Sequence, residues 1–244
     1  METLSPKQQE IRDREQRILQ LSRKLVLSGG YHGLSLDSLA TELGVSRGTI
    51  YNHFKCKVDI ILALLVETMD IRRAMFQRAA AWRAATRERL AAIGVAAEMF
   101  VRLYPDHFRV EHIVKSDSIW EKTSPDRRSL VKGCQMQCVG IVAGVVRDGI
   151  ANGHVTLPDG MAPEDLVFGL WSMTEGAYAI IATSEAIAEL GIREPFQAIR
   201  RNIHSLIDGF GWTPLSSSHD YESTARQILK DVFAEEFRRL KQKW

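Results

Sequence analysis

Residues 33–57, GLSLDSLATELGVSRGTIYNHFKCK, decide the architecture. Ser35 stands where a helix N-cap belongs, its hydroxyl placed to accept from the backbone N–H groups of the first turn. Leu36, Leu39, Ala40 and Leu43 recur at helical spacing and make one buried face. Gly44 follows at the position where a left-handed residue ends a helix at little cost. Val45 plugs the corner, and Ser46 caps a second short helix through Arg47, Gly48, Thr49, Ile50, Tyr51, Asn52 and His53. Only Ile50 and Phe54, four apart, are committed to a core there. The rest of that helix offers donors, acceptors and ring edges, and Gly48 removes a side chain where a base edge or phosphate comes close. Two short helices, a tight turn and a polar outward face on the second helix spell a helix-turn-helix, whose second helix enters the DNA major groove by its N-terminal end.

Outward from this stretch, periodicity and breakers lay out the rest. A preceding helix runs from about residue 6 to 28 with Ile11, Ile18, Leu21, Leu25 and Val26 as its inner stripe, ended by Gly29-Gly30. After the recognition helix, residues 57–84 place Val58, Ile61, Leu62, Leu65 and Met69 on one face of a helix long enough to connect two domains. Further helices read at 86–104, 106–116, 126–152, 163–189, 195–210 and 220–242, broken by Tyr104-Pro105, the LPDGMAP turn, Gly191 and the GWTPLSSS linker. No alternating apolar pattern supports a strand, so the fold is expected to be all-α.

These residues resemble the DNA-binding domain of the TetR family of one-component transcriptional repressors. The likeness is carried by the G-x-S/T start at 33–35, L-A-x-x-L-G-V-S over 39–46 and G-x-I-Y-x-H-F-x-x-K over 48–57. It implies an N-terminal three-helix helix-turn-helix domain at 1–57 and a larger helical ligand-binding and dimerisation domain at 58–244. By position it assigns DNA contacts to Ser35, Ser46, Arg47, Gly48, Thr49, Tyr51, Asn52, His53 and Lys57, with Tyr51, His53 and Lys57 reaching phosphates. Asp37 departs from the hydroxyl or basic group that such proteins often present at the start of the first of these helices. The bland reading of Tyr51 is an aromatic bracing the helix pair, and of Lys57 a solvated first-turn lysine.

Composition agrees. The chain has 244 residues, 45% of them apolar, enough for one small and one larger core. Its net charge is +2, but residues 1–57 hold nine Lys/Arg against six Asp/Glu, so the positive end is the helix-turn-helix end. No apolar run approaches the roughly 20 residues a membrane span needs. The polar start METLSPKQQEIRDREQ is unlike a secretory signal, and the expected location is the cytoplasm. Three cysteines suit reduced thiols rather than a disulfide framework.

A reader of palindromic DNA must be dimeric, and the stretches 163–189 and 195–210 suit an interface. Gly169, Ser172, Gly176 and Ala179 let helices approach closely, with Leu166, Leu170, Met173 and Ile180 beside them. Phe196, Ile199, Ile203, Leu206 and Phe210 form the matching stripe, so Gly169, Met173, Gly176, Ile180, Ile199, Ile203 and Phe210 are the candidate interface of a four-helix bundle between two copies. The competing assignment is that both stripes serve the monomer core. Tyr221, Ala225, Ile228, Leu229, Val232, Phe233, Phe237 and Leu240 form one face of a last helix, which the sequence leaves free to pack in cis or on the partner.

For an input, Tyr104, His107, Phe108, His112 and Trp120 gather aromatics with a few polar groups. Together with Trp171, Glu175 and Tyr178 they suit an apolar or aromatic small molecule. The candidate ligand residues are His107, His112, Trp120, Trp171, Glu175 and Tyr178, each with a competing reading as core. His107, His112 and Asp117 fall at five-residue steps that do not share a helical face, so no metal site is expected. Cys134 and Cys138 lie one turn apart on an apolar stripe without a neighbouring cation, and read as small buried hydrophobes more readily than as a redox or soft-metal pair.

No G-x-S-x-G elbow, phosphate-cradling glycine loop or H-E-x-x-H is present, so neither an enzyme nor a cofactor is expected. The favoured reading is a homodimeric repressor that binds a palindromic operator and is released by a small apolar or aromatic ligand, which swings the helix beginning at Lys57. The alternative is a ligand-independent DNA-binding protein of nucleoid-associated or protein-interaction type.

Overall fold

A computed structural model describes residues 5–116, 125–184 and 186–242, and among them every regular element is a helix. The order is α1 (Pro6–Gly33), α2 (Leu36–Leu43), α3 (Arg47–His53), α4 (Lys57–Ala80), α5 (Thr86–Leu103), α6 (Pro105–Ser116), α7 (Pro125–Ala151), α8 (Pro163–Thr183), α9 (Ala186–Glu189), α10 (Pro195–Gly209), α11 (Tyr221–Asp231) and α12 (Ala234–Gln242). Two compact units result: residues 1–69 with 106–134, and residues 70–105 with 135–244.

In the first unit, Ser5 and Gln8 cap α1 reciprocally, each side chain accepting from the other's backbone N–H. The helix breaks at Gly30, whose φ of 63° no β-carbon tolerates cheaply. Ile18 and Val26 are buried as the stripe predicts, whereas Ile11 is exposed, because the first turns of α1 have no element to pack on. The core joins Ile18, Leu39 and Ile50 to Ile60, Ile61, Leu64 and Leu65 of α4, then to Val110 and Val114 of α6 and Val131 of α7. The boundary expected at residue 57 therefore falls inside this unit. The first three helices bury too little apolar surface alone, and α4, α6 and the start of α7 complete their core.

The second unit is organised around α5, which buries Leu90, Ile93, Ala96, Met99 and Phe100. Trp212 is fully buried; its ring lies so close to Gly149 of α7 that a β-carbon there would come within 2.6 Å of it. The indole N–H donates to Thr86 Oγ1 at 3.1 Å. Arg87, also fully buried, donates to the carbonyls of Trp212 and His204, pairs with Asp208 at 2.6 Å and stacks on the Tyr221 ring. A buried guanidinium is tolerated because acceptors and a counter-charge surround it.

The final stretch packs in cis on this unit in the single chain. Phe233 is fully buried beneath the Arg78 guanidinium, Arg78 pairs with Glu236, and Arg239 donates to the Tyr104 hydroxyl at 3.2 Å. The single helix expected over 220–242 is two, α11 and α12. The Val232 and Phe233 N–H groups both turn back to the Ile228 carbonyl, and the break drives the Phe233 ring inward. Likewise the helix expected over 163–189 ends at Thr183, with only α9 beyond, and the one expected to reach residue 84 ends at Ala80.

One composition reading is corrected. Arg128–Ala151 and Pro163–Thr183 each hold an 18-residue window, of mean hydropathy 1.4 and 1.2, and are long and apolar enough by length and composition to cross a membrane. Both carry few charges in their apolar windows, and only 22% of each window is buried within the chain.

Candidate nucleic-acid interface

The helix pair is built as its residues dictate. Ser35 Oγ accepts from the Ser38 N–H and Ser46 Oγ from the Thr49 N–H, so both hydroxyls cap helices. Gly44, at φ 65°, closes α2 by donating to the Ala40 and Thr41 carbonyls. Ile50 is fully buried and Phe54 nearly so, fixing α3 by one face. Its other face holds Arg47, Gly48, Tyr51 and Asn52 exposed, with Tyr51 at 45%.

Gly48 lies in ordinary helical backbone, and a β-carbon there would meet nothing nearer than the Ser46 hydroxyl at 3.7 Å. Nothing inside the chain calls for glycine, although glycine weakens a helix relative to alanine. The space it opens faces outward.

Three assigned contacts are qualified by their partners. Arg47 pairs with Asp37 of α2 at 2.7 Å, so the carboxylate that looked out of place braces the recognition helix. The Lys57 ammonium sits 4.1 Å from the Tyr31 ring centroid, and burial holds its pKa below the usual lysine range. His53 is the correction: its side chain is only 7% exposed and faces Glu15 of α1 at 3.9 Å, so it is not presented as a phosphate contact.

Two residues were missed in the sequence. Asp59 Oδ2 accepts from the backbone N–H groups of Lys55 and Cys56, locking the α3–α4 junction; its place three residues after Cys56 is capping-box spacing. Lys55 is exposed beside Tyr51 and donates to its carbonyl at 3.0 Å.

The candidate ligand residues divide between the units. His107 and His112 belong to α6 in the first: His107 Nδ1 lies 3.2 Å from Thr68 Oγ1, and the His112 ring lies tilted against Phe108. Trp171, Glu175 and Tyr178 belong to α8 in the second, where Tyr178 is buried against Phe196 and burial raises its phenol pKa. Trp120 lies outside the described residues. The second unit carries an open groove of about 360 Å³ floored by Ala80, Ala81, Gly140, Ile141, Gly144 and Val145, with the Arg89–Asp148 ion pair at its edge. None of the candidate ligand residues among the described residues lines it. Among the described residues no group of three metal-ligating side chains occurs. Cys134 and Cys138 are reduced thiols, the second buried.

The candidate dimer residues are all at least partly accessible in this single chain. Gly176 and Ile180 are exposed, as are Phe168 and Trp171 on the same helix, while Gly169, Met173, Ile199, Ile203 and Phe210 are half-buried.

A helix-turn-helix with an outward recognition helix, joined to a larger helical unit, defines a DNA-binding transcriptional regulator. Residues 18–64 match the tetR family of bacterial regulatory proteins. The chain is a TetR-family regulator with an N-terminal helix-turn-helix. It is 24% identical over 187 residues to the fatty acid metabolism regulator protein of Bacillus subtilis (strain 168), covering 73% of this chain and 94% of that protein. Its fold is shared with a putative transcriptional regulator from Saccharomonospora viridis in complex with choline, at 23% identity and a TM-score of 0.63, over 80% of this chain and 96% of the other. It is shared also with the transcriptional regulator FadR from Bacillus subtilis in complex with stearoyl-CoA, at 20% identity and a TM-score of 0.59, over 79% and 96%.

Proposed function

We propose that the chain is a non-enzymatic, homodimeric repressor of the bacterial cytoplasm that reads a palindromic operator with two copies of α3 set about one turn of DNA, ~34–36 Å, apart. The observation that carries this reading is the outward face of α3, where Gly48 opens room that the chain itself does not use, flanked by exposed Arg47, Tyr51 and Asn52. Ser35 and Ser46 serve it as helix caps, and Lys55 adds positive charge at the rim. The exposed apolar side chains of α8, Phe168, Trp171 and Ile180, support pairing of two copies, which removes such surface from water.

The effector in this reading is an amphipathic molecule with an apolar chain, an acyl-CoA thioester being the first probe. The relative that aligns along three quarters of the chain is a regulator of fatty acid metabolism, and a protein of the same fold binds stearoyl-CoA. An effector must bind one arrangement of the dimer better than the other to change DNA affinity, and the coupling is then reciprocal.

The test is selection from a random duplex library by the purified full-length chain at stated salt, followed by titration of the enriched duplex complex with stearoyl-CoA. An enriched palindrome released by stearoyl-CoA supports both parts, with choline as the comparison ligand. Enrichment without a palindrome favours the ligand-independent DNA-binding alternative.

A further inference from the structure

Three helices of the DNA-reading unit meet through polar groups at a place where apolar side chains would pack more stably. Arg23 of α1 pairs with Glu67 of α4 at 2.5 Å, and the next residue of α4, Thr68, is buried with its Oγ1 3.2 Å from His107 Nδ1 of α6. Ser22, beside Arg23, is fully buried and its hydroxyl makes no hydrogen bond. Such a seam costs stability relative to a dry one.

The hydrogen-bond polarity follows from counting protons. Thr68 Oγ1 lies 2.8 Å from the Leu64 carbonyl, which can only accept, so the single hydroxyl proton goes there. His107 Nδ1 must then supply the proton between the two side chains. Burial and the nearby Arg23 charge, outweighing Asp106, hold the ring neutral, with its pKa pushed down to about 4.

Resting on the reading above, we propose that His107 is a positioning residue for DNA recognition: its Nδ1–H hooks α6 to Thr68 of α4 and thereby sets the angle at which α3 is presented. The link from α4 to α3 is stiff, because Asp59 ties the junction and Ile60, Ile61 and Leu64 share one core with Ile50 and Leu39. Loosening the hook spreads the orientations of α3, so a smaller fraction of dimers spans both half-sites at once and the apparent Kd rises in proportion.

The test uses full-length chains and the duplex enriched by the unaltered protein, with affinity read by fluorescence anisotropy. His107→Leu and Thr68→Val each weaken binding about fivefold, the worth of one buried neutral hydrogen bond. The double variant is no weaker than either single one, the mark of a pair acting together. His107→Asn, which keeps an N–H donor near the place of Nδ1, recovers affinity to within about twofold, a rescue that general loosening of the core does not give. Additive losses, no losses, or Asn behaving as Leu overturns the inference while leaving the DNA reading intact. Failure of the unaltered protein to enrich any duplex overturns that reading and this inference with it.

Discussion

Gly48 offers the sharpest separation of stability from recognition. In the second position of α3 a β-carbon meets only the Ser46 hydroxyl, at van der Waals distance, and longer side chains point away from the core. Alanine there relieves part of glycine's helical penalty, raising stability by about 0.5 kcal/mol, the low end for a first-turn position. Glutamine is equally accommodated by the fold but fills the space open to DNA. If it costs about 1.5 kcal/mol at each half-site, two-fold symmetry doubles this to about 3 kcal/mol, and Kd rises more than a hundredfold. Urea denaturation of the glycine, alanine and glutamine proteins, beside anisotropy titrations on one enriched duplex at fixed salt, separates the two effects. The expectation is unchanged or higher unfolding midpoints with DNA affinity falling as the side chain grows. A glutamine protein binding within twofold of the parent would refute the argument that DNA approaches closest at this residue.

Other perturbations follow the same logic. Tyr51→Ala, removing an exposed ring that no core packing needs, should weaken DNA binding without altering the sedimentation coefficient of the free protein. Ile180→Glu places a charge among the exposed apolar side chains of α8 and should convert a dimer to a monomer in analytical ultracentrifugation, the circular dichroism spectrum being retained. Arg87→Leu leaves Asp208 and two buried carbonyls without their donor, and the urea midpoint should report a loss of about 3 kcal/mol. Burial, with Arg87 close to His204 and Arg23 close to His107, pushes both histidines down to about 4 from 6.5. Between those pH values the unfolded chain binds protons at these rings that the folded chain does not. Stability from these two groups is therefore full above about pH 6.5 and falls toward pH 4. The decline in urea midpoint from pH 7.5 to 5 should be smaller when both histidines are replaced by asparagine; an unchanged decline refutes the assignment.

The helix-turn-helix was legible because its determinants are local. Ser35, Gly44 and Ser46 act within three or four residues of themselves, and Leu39, Ala40 and Ile50 follow a helical period that one core face enforces. What escaped was set by distant chain. The His53 ring is turned inward by Glu15 of α1, nearly 40 residues earlier. The first unit recruits Val110, Val114 and Val131, which no periodicity within residues 1–57 announces. Nothing near Arg87 in the sequence marks it, because its acceptors come from the backbone of residues 204 and 212. The break at Val232 is likewise invisible in an unbroken helical pattern, because the pocket that draws Phe233 in is built elsewhere.

The Trp212 plug carries a consequence for how the protein is made. Its partners Thr86 and Arg87 leave the ribosome more than 120 residues earlier, and Arg78 waits longer still for Glu236. Throughout that interval the part of α5 that α11 and α12 cover stays open. Contacts of such sequence separation are slow to form, and a nascent chain stalled or truncated before residue 233 displays a sticky surface to chaperones and proteases. The DNA-reading unit, whose last contributing residue is 134, has every piece it needs far sooner. Synthesis thus yields a DNA-reading head well before the rest of the molecule can close, and quality control of this regulator falls on the stretch from Trp212 to Glu236.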